Sequence, residues 1–213
     1  MFYTVITEKN GMMRCCTILL LVAFLFSCAG GEVKNSMNTD SSSDSVLIQN
    51  KVSHVDVDSD VEIDFKNAVV LLQESKYQQA ISILITVIER EKRLPAPYVN
   101  LAMAHNALGD TKAAEENLIS ALKLDIGHPV ANNELGMLYR KKGRFKAART
   151  AYENAIKDNP DYLPAIKNLG ILCDLYIRDY DCALQQFEDY LELKPDDKTV
   201  AIWVADVKQR SGK

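Results

Sequence analysis

From Val61 the chain can be cut every 34 residues, at Val61, Pro95, Pro129 and Leu163, and the four segments align. The eighth place of successive segments holds Ala68, Ala102, Gly136 and Gly170, and the twentieth holds Ala80, Ala114, Ala148 and, after one inserted residue, Ala183. The seventh place holds Asn67, Leu101, Leu135 and Leu169, and the twenty-fourth holds Leu84, Leu118, Tyr152 and Phe187. A period of this length, in a region dominated by Ala, Leu, Lys, Glu and Gln, means that one helical unit is repeated and stacked on its neighbours. Glycine inside a helix costs about 1 kcal/mol relative to alanine, so Gly136 has a packing reason to be there.

The pattern resembles the tetratricopeptide repeat, a helix–turn–helix unit with a Leu-Gly pair and a Tyr on its first helix and Ala and aromatic residues on its second. Leu135, Gly136, Tyr139, Ala148, Tyr152, Ala155 and Pro160 carry the match. The resemblance implies an all-α fold, a right-handed α-solenoid of about four repeats at 61–94, 95–128, 129–162 and 163–197. A capping helix and tail at 198–213 closes it, because TVAIWVADVKQ has the apolar spacing of one amphipathic helix. Two antiparallel helices approach closely only at small side chains, so Gly136 and Ala148 should lie where paired helices touch, and Gly143 should supply the turn between them. The end units depart from the pattern. Asp64, Asn67 and Lys92 make the first repeat a polar starter, Tyr190 stands where a small residue is usual, and Trp203 is expected in the core.

The first 28 residues are of another kind. Arg14 precedes a charge-free apolar run from Cys15 to Phe26, too short for a bilayer span of about 20 residues but the length of a secretory-signal core. Leu25, Phe26, Ser27 and Cys28 resemble the lipobox of bacterial lipoproteins, which implies lipidation at Cys28; Phe26 departs from the small residue usual at its place. The alternatives are an ordinary cleaved signal or an uncleaved anchor. Residues 29–60 are rich in Ser, Asp and Asn and read as a flexible polar linker with a reach of roughly 30 Å.

Net charge is −4 with both signs interspersed, and no Lys/Arg block suggests a nucleic-acid surface. His54, His105 and His128 have no paired spacing for a metal, and no nucleophile motif or phosphate-cradling glycine loop is present, so neither catalysis nor a cofactor is expected. Cys173 and Cys182 flank the turn of the last repeat. In an exported domain they are either a disulfide or two buried thiols.

The candidate site is the concave groove. Carried over from the family, its lining falls on Phe65, Val69 and Leu72 of the first repeat, and on Val99, Asn100, Met103 and Asn106 of the second. In the third it falls on Asn133, Met137, Arg140 and Lys141, and in the fourth on Lys167, Asn168, Ile171, Asp174 and Leu175. Asn100 and Asn168 match the family's groove asparagine, whose amide can bond an extended backbone, and Met103 and Met137 suit an adaptable apolar contact. Arg140, Lys141 and Lys167 read either as a cationic patch for a carboxylate or as solvated helix termini. The expected function is a cell-envelope adaptor or scaffold that holds a protein segment in this groove. By resemblance it would serve an envelope system such as secretin assembly, peptidoglycan enzymes or a TonB-type complex, from the periplasmic face of the outer membrane. The alternative is a tethered structural spacer that takes no peptide and self-associates.

Overall fold

The computed structural model describes residues 57–212; the signal-like segment, Cys28 and most of the linker lie outside the described residues. Among the described residues nine α-helices follow one another: α1 (Ser59–Gln73), α2 (Tyr77–Arg90), α3 (Pro95–Ala107), α4 (Thr111–Leu124), α5 (Pro129–Lys141), α6 (Phe145–Asp158), α7 (Leu163–Ile171), α8 (Tyr180–Leu193) and α9 (Lys198–Ser211). Between α7 and α8 the helix continues as a π segment, Leu172–Ile177. No strand occurs among the described residues. The linker is shorter than expected at its end, because α1 already begins at Ser59, where the Asp58 carboxylate accepts the Asp60 N–H.

The helices pair as four hairpins, α1–α2 through α7–α8, each packed on the next, with α9 against α8. Local chemistry sets the boundaries. Pro95 and Pro129 occupy first helical positions, where their missing N–H costs nothing, and Asp110, Asp179 and Asp197 cap α4, α8 and α9 through their carboxylates. Each hairpin turns on one left-handed residue: Ser75, Gly109, Gly143 and Arg178. In the first three, the N–H of Lys76, Asp110 and Arg144 reaches back to the carbonyl of Leu71, His105 and Tyr139. In the fourth, Asp179 reaches to Cys173, one residue further, and the π segment absorbs the inserted residue without disturbing the stack.

Glycine supplies the left-handed turn in α3–α4 and α5–α6, but Arg178 (φ 60°) has to carry it after the π segment. A left-handed L-residue costs roughly 1–2 kcal/mol, part of which glycine returns through unfolded-chain entropy. Arg178→Gly is therefore expected to stabilise the fold by about 0.5–1 kcal/mol, read as a higher urea midpoint with unchanged slope.

The repeated small positions are matched to what they face. A Cβ on Gly136 would lie 2.5 Å from the Tyr152 ring, and one on Gly170 would lie 2.5 Å from the Phe187 ring. Where the facing residue is Leu84 or Leu118, the small position carries Ala68 or Ala102, and all four are buried. Glycine thus appears where the partner helix sends in an aromatic ring. Ala80, Ala114, Ala148 and Ala183 are likewise fully enclosed.

The ends close differently. Arg90 of α2 reaches both Asp58 (3.0 Å) and Asp64 (3.1 Å), which accounts for the acid at 64. At the other end Tyr190 fills its place with a ring and donates its hydroxyl to Asp197 (3.0 Å), the cap of α9. Trp203 packs on Phe187 with ring centroids 5.5 Å apart, but it is only partly buried and covers the edge of the core where the sequence placed it inside.

Candidate partner-binding groove

The first helices of the hairpins, α1, α3, α5 and α7, form one layer, and the sites expected on them divide into those the fold leaves accessible and those it uses. Val99 is fully buried in the core of the α3–α5 region and lines no groove. Asn100 is buried and donates its amide to Ala96 O of its own helix (3.0 Å). Lys167 does not line the cleft that Arg140 and Lys141 line; its Nζ lies over the Tyr190 ring, 5.5 Å from the centroid. Asp174 is buried against the capping helix, where Arg210 Nη2 reaches it at 2.7 Å. These are corrections to a lining carried over from the family: Val99 is taken by the core, Asn100 by its own helix, Lys167 by Tyr190 and Asp174 by Arg210. Ile171 is partly buried on the core, while Leu175 is 64% exposed. Phe65 and Leu72 pack against the α1–α2 core, and Val69 is partly buried.

What the fold does bring together is an open cleft of about 310 Å³ lined by Asn106 of α3, Met137, Leu138, Arg140 and Lys141 of α5, and Tyr176 of the π segment. Arg140 lies over the Tyr176 ring at 5.6 Å, and Phe145 also packs on that ring, with centroids 5.2 Å apart. The neighbouring Lys142 and Arg144 both bind Glu115, whereas neither Arg140 nor Lys141 has a carboxylate partner among the described residues. The Asn106 carbonyl oxygen is buried without a hydrogen-bond partner. Met103 is exposed on α3, and Leu175, Tyr176 and Ile177 are exposed on the π segment.

Sequence spacing misses Tyr176. The π turn rotates it, with Leu175 and Ile177, into solvent, whereas Leu172, Cys173 and Asp174 turn inward. Cys173 and Cys182 are joined, with Cα atoms 5.9 Å apart, and the bridge pins this segment to α8. One signal was readable: the inserted residue itself.

Deeper in the groove, Asn168 donates its amide to the Asn133 carbonyl oxygen at 3.0 Å, linking α7 to α5. Beside Asn133 stands Glu134, at the place that Asn100 holds in α3 and Asn168 holds in α7. Glu134 is partly buried, and burial pushes its carboxyl up to about 7, only partly offset by a hydrogen bond from Asn133. Tyr152 and Tyr162 both feel its charge; burial pushes the Tyr152 phenol up to about 12 and raises that of Tyr162. Tyr152 is fully buried and its hydroxyl has no partner. His128, at the start of α5, is buried and caps the helix by accepting the Ala131 N–H at Nδ1, and burial lowers its pKa.

A layer of first helices carrying an open cleft, unpaired cations and exposed apolar side chains defines an α-helical repeat module for protein–protein interaction. Residues 96–125 and 129–162 each match the tetratricopeptide repeat family, so the chain carries tetratricopeptide repeats there. Its fold is similar to that of the pilF protein of Pseudomonas aeruginosa, with a TM-score of 0.66 at 22% identity over 71% of this chain and 68% of that one. It is also similar to MamA from Desulfovibrio magneticus, with a TM-score of 0.62 at 19% identity over 73% of this chain and 87% of that one. In sequence it is 27% identical over 132 residues to a probable UDP-N-acetylglucosamine–peptide N-acetylglucosaminyltransferase, SPINDLY, of Solanum lycopersicum; the match spans 62% of this chain and 14% of that protein.

Proposed function

We propose that this protein is a lipid-anchored cell-envelope adaptor that holds an extended segment of a partner protein across α3, α5 and the π segment. The observation that carries the groove reading is the cleft itself. Arg140 and Lys141, without carboxylate partners, stand beside apolar Met137 and Tyr176, and this composition suits a segment with an acidic group next to an apolar side chain. The envelope reading rests on the Cys15–Phe26 apolar run, the lipobox-like approach to Cys28 and the bridged Cys173–Cys182 pair, which fits an oxidising compartment. No helix among the described residues is long and apolar enough to cross a membrane, so attachment in this reading falls to the segment before the repeats.

Met103→Asp combined with Lys141→Glu changes only exposed side chains and should leave thermal unfolding unchanged. After in-cell crosslinking and affinity purification, the partner captured by the wild type should fall at least tenfold with the double variant. Undiminished capture of the same partner would remove the groove from the interaction.

A further inference from the structure

We propose that Glu134, which shares a face of α5 with the cleft-lining Met137 and Lys141 three and seven residues on, forms an acidic subsite that takes the cationic side chain of the bound segment, at the other end of that face from the Arg140–Lys141 end that takes a carboxylate. The inference deepens the adaptor reading above and rests on it. It begins with a replacement: at the shared place of the four first helices stand Lys66, Asn100, Glu134 and Asn168, and only α5 puts an acid there. No lysine, arginine or histidine of the described residues forms an ion pair with Glu134. Its neighbours are the Asn133 amide, whose carbonyl is already committed to Asn168, and the Tyr152 and Tyr162 phenols; Arg140 acts on the same Tyr152 phenol but forms no ion pair with Glu134. The Tyr152 hydroxyl, buried and without a partner, comes to the same place from α6. A partly buried acid with amide and phenol neighbours but no ion-paired cation is a site that a ligand's ammonium or guanidinium completes.

The two charged places are separated along one helix. Arg140 and Lys141 lie six and seven residues beyond Glu134, about 9–10 Å at 1.5 Å per residue. A segment bound across them carries a basic and an acidic residue roughly two to four positions apart, since an extended chain advances about 3.3 Å per residue. Reversing such a segment places like charges together, so the groove also fixes its direction.

The test is selection of a random dodecapeptide library on phage against the purified full chain and against its Glu134→Gln form, with melting curves confirming that both are folded. The wild type is expected to enrich Lys or Arg at a fixed offset from Asp or Glu, and Glu134→Gln to keep the acidic preference and lose the basic one. For a synthetic peptide of the enriched sequence, affinity for the wild type should fall about tenfold from pH 8 to pH 6 as the Glu134 carboxyl takes up its proton. Tyr152 and Tyr162 stay neutral over that range, and the Glu134→Gln form retains His128, so any pH dependence of the histidine appears in both proteins. Enriched peptides without a basic residue, or the same basic residue selected by Glu134→Gln, overturn the acidic subsite and leave the segment-binding groove standing. No enrichment by either protein removes both.

Discussion

Replacing Gly136 with alanine should destabilise the fold by about 2 kcal/mol, although alanine is the better helix former by about 1 kcal/mol. The added Cβ would lie 2.5, 2.7 and 2.9 Å from three atoms of the Tyr152 ring. That ring is fully buried, so it has no solvent to move into. Shortening the ring to Tyr152→Leu alone removes buried volume and should cost roughly 2–4 kcal/mol. The double variant recreates the Ala–Leu pairing that the chain uses at Ala68 with Leu84 and at Ala102 with Leu118. It should therefore be more stable than the sum of the singles by at least about 1 kcal/mol in a urea double-mutant cycle. Additive losses would show that Gly136 and Tyr152 are not a matched pair, and the steric account of the repeat would fail with them.

The second large effect is a gain. In the folded protein the Glu134 carboxyl sits at about 7, against an ordinary value of 4.5. Between those values the native state holds a proton that the unfolded chain has released, so stability declines as pH rises from about 4.5 to 7 and the loss is complete above that. A rise of this size corresponds to about 3 kcal/mol at most, and residual exposure reduces it to about 2 kcal/mol. Glu134→Gln is accordingly expected to raise unfolding stability by about 2 kcal/mol at pH 8 and to change it little at pH 4. Denaturant curves at the two pH values decide the matter; equal differences at both would mean that the carboxyl is solvated. An acid that costs stability where the two adjacent repeats carry asparagine is the kind of residue retained for binding.

Much of the architecture was legible before any coordinate. The 34-residue interval at Ala68, Ala102, Gly136 and Gly170 fixes the paired helices and Gly143 the turn of the third hairpin, because these signals act within one or two turns of chain. The groove was legible only in part. Met103, Asn106, Met137, Arg140 and Lys141 fall where spacing puts them, and four of these residues line the cleft. Val99 faces the core because α4 and α5 close over it, and Asp174 is removed by Arg210, which follows it by 36 residues on α9. Tyr176 was invisible because an inserted residue announces itself in an alignment without saying whether a loop or a π turn will absorb it.

By itself the sequence determined the repeat, its helices, its small-residue contacts and the order of its charges, all consequences of local propensity and of side-chain volume recurring at a fixed interval. Which polar groups remain unpaired was decided only by the tertiary structure. Glu134 is partly desolvated by neighbours from other elements, and Lys167 and Asp174 are engaged by Tyr190 and Arg210. Burial and pairing depend on what packs above a residue, and that is a property of distant chain brought close, which no interval along the sequence encodes.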